Sequence, residues 1–172
     1  MKIIDLLDKN SIKLDASPSG KEEALNMAID LMDRSGKLND KEAYRRQVFA
    51  REKESTTGIG EGIAIPHGKC AAVDRPGLAA MVIPGGVDFE SLDDEPVTLM
   101  FLIAAPDTKD NVHLDVLSKL SVLLMDEEFT ASLRGAESVE EFIKLVDKAD
   151  EEKNGIDERL TEGNTLNAAS DV

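Results

Sequence analysis

The stretch Val97-Thr98-Leu99-Met100-Phe101-Leu102-Ile103-Ala104-Ala105 is apolar at every position except Thr98. A strand with one wet face alternates apolar and polar side chains, whereas a run apolar throughout needs cover on both faces. Helices packed on either side of a sheet supply that cover, so this segment points to an α/β layered domain. It is far shorter than the ~20 residues of a membrane-spanning helix.

The rest of the chain fits that frame. Ile63-Ala64-Ile65 reads as a short strand ended by Pro66, and Leu78 to Ile83 as another, stopped by Pro84-Gly85-Gly86. Ser19-Gly20-Lys21-Glu22 has the form of a capping box, and Ala24, Leu25, Ala28, Ile29 and Met32 follow at helical spacing until Gly36. A second helix opens at Asn39 or Asp40 and carries Tyr44, Val48 and, near its end, Arg51. Helix returns from Asn111 to Met125, with Leu114, Leu117, Leu120 and Leu124 expected as its inner stripe. Ser138-Val139-Glu140-Glu141 opens a last helix that should bury Val139, Phe142, Ile143 and Val146. Past Lys148 the periodicity fails, so residues 1–148 are expected to form the domain and 149–172 a polar tail or interdomain linker.

Charge narrows the function. With 35 acidic against 20 basic residues the chain carries a formal charge of -15. It lacks the basic footprint that nucleic acid requires, and an anionic membrane surface would repel it. The single cysteine, Cys70, rules out an intrachain disulfide, and aspartates interrupt the first residues too early for a signal peptide. These features lead us to expect a cytoplasmic protein.

Chemistry concentrates around the two histidines. His67 lies in Gly58-Ile59-Gly60-Glu61-Gly62-Ile63-Ala64-Ile65-Pro66-His67-Gly68-Lys69, which places the imidazole on a strand-end turn. Gly68 would let another backbone or a phosphate approach closely. A neutral imidazole is a good nitrogen nucleophile near pH 7. His113 falls in the first turn of the Leu-rich helix, where backbone donors favour an anion. Arg51 could hold phosphate oxygens in a bidentate fork, as Lys69 could with a point charge. A surface Arg–Glu pair and a solvated lysine are the plainer readings of those two. A metal hydrolase built on His67, His113 and Cys70 is a further alternative, although the ligand set is thin and no H-E-x-x-H helix accompanies it.

The run from Arg51 to Lys69 resembles the signature of the enzyme IIA domains of the fructose–mannitol family of the bacterial phosphoenolpyruvate:sugar phosphotransferase system. Phe101-Leu102-Ile103-Ala104-Ala105-Pro106 followed by Val112-His113-Leu114 is similar to a second family segment, and Gly86 to Val97 to the stretch preceding it in fructose-type members. The resemblance covers residues 1–148 and implies a single-domain α/β sandwich with a mixed β-sheet flanked by helices. It also implies a phosphotransferase component in which His67 accepts phosphate from the carrier HPr and passes it to a cysteine of enzyme IIB. His113 would help hold the phosphoryl group and Arg51 would assist transfer, with no cofactor or metal. Contact with the membrane would be indirect, through the sugar permease. Glu61 stands where fructose-type members often have Asn, which leaves its role open. The nitrogen-related enzyme IIA, a phosphorylation-governed regulatory binding protein, shares the same histidine motif and is the alternative.

Overall fold

The structure, a computed structural model, describes residues 2–155. Six strands form one mixed sheet, ordered β1-β5-β6-β3-β2, with β4 also paired to β6. β1 is Leu7–Lys13, β2 Gly58–Gly60, β3 Ile63–Ala64, β4 His67–Cys70, β5 Gly77–Val87 and β6 Val97–Pro106. β1 runs parallel to β5, β5 antiparallel to β6, and β3 and β4 both parallel to β6. Between β3 and β4, Ile65 and Pro66 interrupt what is otherwise one line of chain along the flank of β6. Helices α1 (Lys21–Arg34) and α2 (Lys41–Glu54) lie on one face, and α3 (Val112–Leu124), α4 (Glu127–Arg134) and α5 (Val139–Asp150) on the other.

The apolar run explains this layering. Val97, Met100, Leu102 and Ala104 of β6 pack into the core beneath α1 and α2. Leu99, Phe101 and Ile103 pack into the second core, with Val116, Leu120, Leu123, Phe142 and Val146 of α3 and α5. Side chains alternate across a strand, so an apolar residue at nearly every position feeds two cores at once.

Several local expectations change. β5 runs on through Pro84-Gly85-Gly86 to Val87, with a register shift between Val82 and Val87 that absorbs the proline and glycines. Gly20, not Ser19, caps α1, and Ser19 Oγ instead donates to the Glu23 carboxylate at 2.6 Å. Ser138 does cap α5, accepting from the Glu141 amide at 3.0 Å, while Glu141 reaches back to the Glu137 amide at 3.0 Å. On α3 the inner stripe is Val116, Leu120, Leu123 and Leu124, and Leu114 faces outward, about half exposed.

α5 runs two residues past the expected boundary. Asp150 is only 4 % exposed, and its Oδ2 accepts from the Ile3 amide at 2.8 Å. A π-helical turn continues to Gly155. The remainder of the expected tail, residues 156–172, lies outside the described residues. Among the described residues no helix is long and apolar enough to cross a membrane.

Candidate functional site

His67 opens β4 rather than sitting on a turn after a strand. Its register partner is Ile103, which belongs to the α3–α5 core, whereas Gly68 partners Ala104 of the α1–α2 core. Neighbouring strand residues in register share a face, so His67 and Lys69 point toward α3 while Gly68 faces α2. A Cβ on Gly68 would lie 3.0 Å from Val48 Cγ2 and 3.1 Å from Tyr44 Cε1. This glycine therefore admits the Val48 and Tyr44 side chains of α2, where its sequence setting suggested another backbone or a phosphate. Cys70, three positions from His67, points away from it by the same alternation. Among the described residues no group of three His, Cys, Asp or Glu side chains could hold a metal ion.

The half-buried imidazole is anchored on one nitrogen. His67 Nδ1 lies 3.2 Å from the Ile65 carbonyl oxygen. A carbonyl only accepts, so Nδ1 carries the proton and the lone pair of the neutral ring resides on Nε2. Burial pushes the His67 pKa below its ordinary 6.5, and the Arg51 and His113 charges add to that effect. The Ile65 carbonyl and Glu52 oppose it. Near neutral pH the ring is thus uncharged and nucleophilic.

Arg51 arrives from the last turn of α2. Its Nη1 donates to the Ser55 carbonyl at 2.9 Å, which draws the guanidinium back over the turn after the helix. His113 arrives from the first turn of α3, whose cap residue, Asn111, makes no side-chain cap hydrogen bond. Its Nδ1 is buried without a hydrogen-bond partner among the described residues. Burial and the Lys69 charge lower its pKa, opposed by Asp115. Arg51, His67, His113 and Lys69 thus converge from two helices and an edge strand. In a chain of net charge -15 this local excess of cations and helix N-terminal amides forms a seat for an anion beside a free imidazole nitrogen.

Glu61 is elsewhere. Its neighbour Ile63 pairs with Leu99 and His67 with Ile103, which separates the two levels by four residues of β6, about 13 Å of strand. Glu61 caps the turn between β2 and β3, where its amide donates to Asp93 at 3.0 Å and its carbonyl accepts from Arg134 at 2.8 Å.

Sequence reasoning missed Glu52, which is 8 % exposed next to half-buried Arg51. The signal was present: Tyr44, Val48 and Glu52 recur every four residues on the buried side of α2.

Residues 5–149 match the family described as phosphoenolpyruvate-dependent sugar phosphotransferase system, EIIA 2. The chain is 46% identical over 150 residues to a PTS system fructose-specific EIIABC component of Bacillus subtilis, covering 87% of this chain and 24% of that one. It is 40% identical over 127 residues to a PTS system fructose-specific EIIA component of Haloferax volcanii, covering 74% and 82%. The chain therefore spans about a quarter of the three-component relative and most of the EIIA component. Among solved structures, the nitrogen regulatory protein IIA-Ntr of Neisseria meningitidis superimposes with a TM-score of 0.77 at 33% identity, over 84% of this chain and 98% of that one. Enzyme IIA mannitol of Escherichia coli, solved in complex with phosphorylated enzyme IIB mannitol, gives 0.70 at 31% identity, over 82% and 98%. This chain belongs to the EIIA 2 family of the phosphoenolpyruvate-dependent sugar phosphotransferase system.

Proposed function

We propose that the chain carries a phosphoryl group on Nε2 of His67, receiving it from phospho-HPr and delivering it to a cysteine of a fructose-type enzyme IIB. The observation that carries this reading is the Ile65 carbonyl 3.2 Å from Nδ1, which leaves Nε2 as the nucleophile within the electrostatic reach of Arg51 and His113. In the first step the Nε2 lone pair forms the N–P bond as the bond to the donor imidazole breaks, and that imidazole keeps the electron pair. The proton stays on Nδ1, which donates it in a hydrogen bond to the Ile65 carbonyl, where it offsets the charge of the phosphorylated ring. In the second step a cysteine thiolate forms the S–P bond and His67 recovers its lone pair. Such transfers depend on alignment and on neutralising the equatorial oxygens. Arg51, His113 and the N-terminal end of α3 serve that purpose here.

The partners would dock on the rim around His67, where exposed Leu114 adjoins His113. The fructose reading is supported by the fructose specificity of both relatives, and the IIB partner by the mannitol complex. The likeness to IIA-Ntr keeps a regulatory role as the second reading.

Incubation with phosphoenolpyruvate, enzyme I and HPr should label one histidine, and His67→Ala should abolish the label. Full labelling of that variant would refute the assignment. His113→Ala should still accept label but deliver it to IIB more slowly, and unchanged delivery would remove His113 from the mechanism. Rapid delivery to a fructose-type IIB supports transport, and failure to deliver to any IIB supports regulation.

A further inference from the structure

Alone among the charged residues of α2, Glu52 is buried. A buried carboxylate is costly unless hydrogen-bond donors surround it. The Thr57 amide lies 2.9 and 3.0 Å from its two oxygens, and the Thr57 hydroxyl 2.8 Å from each. Lys21 Nζ approaches Oε1 at 3.5 Å and sits 4.7 Å from the centre of the Phe89 ring. Lys21 is the first residue of α1, where a cation opposes the helix dipole, so its ammonium gains by turning to Glu52 and Phe89.

The consequence falls on the turn that leaves α2. Glu52 grips that turn at Thr57, and Arg51, the preceding residue, grips it at the Ser55 carbonyl. The two clamps hold the same three-residue segment. Without the first, the Thr57 amide and hydroxyl lose their acceptor, and Arg51 is left tied to a loosened chain. The Glu52 carboxylate is meanwhile partnered by Thr57 and Lys21.

We propose that Glu52 is a positioning residue for phosphoryl transfer: by clamping Thr57 it fixes the turn whose Ser55 carbonyl holds Arg51 beside His67. The inference rests on the carrier reading. Glu52 touches no transferred atom and acts through Arg51.

A double-mutant cycle tests it, with the rate of transfer from phospho-HPr to the protein followed by rapid quench. Glu52→Ala and Arg51→Ala should each slow transfer by about 10- to 100-fold, the scale of a misplaced reactive group. Because both act through one guanidinium, the double variant should be no slower than Arg51→Ala alone. Glu52→Gln keeps an acceptor oxygen for Thr57 and should recover most of the rate. If Glu52→Ala does not fold, Thr57→Ala takes its place in the cycle with a smaller effect of the same non-additive kind. Full-speed transfer by folded Glu52→Ala, additive losses in the cycle, or Glu52→Gln as slow as Glu52→Ala would each overturn the positioning role. Failure of the unaltered protein to accept label would overturn the carrier reading and this role together, a result distinct from the other three.

Discussion

At the scale of single residues, the state of His67 is set by what surrounds each ring nitrogen. Burial and two nearby cations favour the neutral ring, so the titration midpoint lies below the ordinary 6.5. A base with a lowered pKa stays unprotonated until the pH falls through that lowered value. Phosphoryl acceptance should accordingly be flat through neutrality and decline only on the acid side of 6.5. Arg51→Ala removes one of the lowering charges, so the His67 midpoint followed by NMR should move upward. A midpoint that does not move would show that the guanidinium is not beside the ring. Glu61 is the other residue with a clear physical signature. It sits at φ 58, a left-handed conformation that Asn and Gly adopt more readily than Glu. Glu61→Asn should raise stability by about 0.5–1 kcal/mol in a urea titration. A loss of stability would mean that the side chain contributes something its backbone contacts do not reveal.

At the scale of elements, the site depends on how closely α2 lies against β4. Tyr44 is fully buried, and its hydroxyl donates to the Ile103 carbonyl at 2.9 Å, tying the helix to the central strand. Val48 and Tyr44 then occupy the space over Gly68. Gly68→Ala should destabilise the fold by about 1–3 kcal/mol through overpacking, read as a lower urea midpoint with unchanged slope. It should also slow transfer, because α2 carries Arg51. A stable, fully active Gly68→Ala would show that the helix shifts freely and that its placement does not govern the site. The helices with apolar stripes were legible from periodicity, and β6 from an apolar run interrupted only by Thr98. Four elements were not, and of these β2 and β4 are three and four residues long, too short to carry a pattern. β1 reads Leu-Asp-Lys-Asn-Ser-Ile-Lys, and its register slips between Leu7 and Ile12, so no alternation survives to mark it. α4 spans eight residues and offers too short a pattern, although Asp126, which caps it by accepting from the Glu128 and Phe129 amides, was a visible start signal.

At the scale of the molecule, the two ends of the described chain meet. Asp150 at the close of α5 accepts from the buried Ile3 amide, joining the last helix to the first turn. A chain ending at Lys148 loses that acceptor, whereas one ending at Gly155 keeps it. An unmatched buried amide costs about 1–3 kcal/mol. In a domain of this size the shorter chain should therefore melt several degrees lower, at roughly 2–4 °C per kcal/mol. Equal melting temperatures in a calorimetric comparison would place the boundary at Lys148 after all. The sequence by itself determined the layered α/β class, because a strand apolar at all but one position needs cover on both faces and the amphipathic helices around it supply that cover. It also determined the two histidines and the arginine as candidates, because the spacing around Pro66-His67-Gly68 is distinctive. Only the tertiary structure decided which His67 nitrogen is free, that Glu61 stands apart from the site, and that Glu52 turns inward. Each of those depends on strand register or on a contact between residues that composition and periodicity do not relate. Pattern reports the face a residue occupies, whereas only packing reports which partner it meets there.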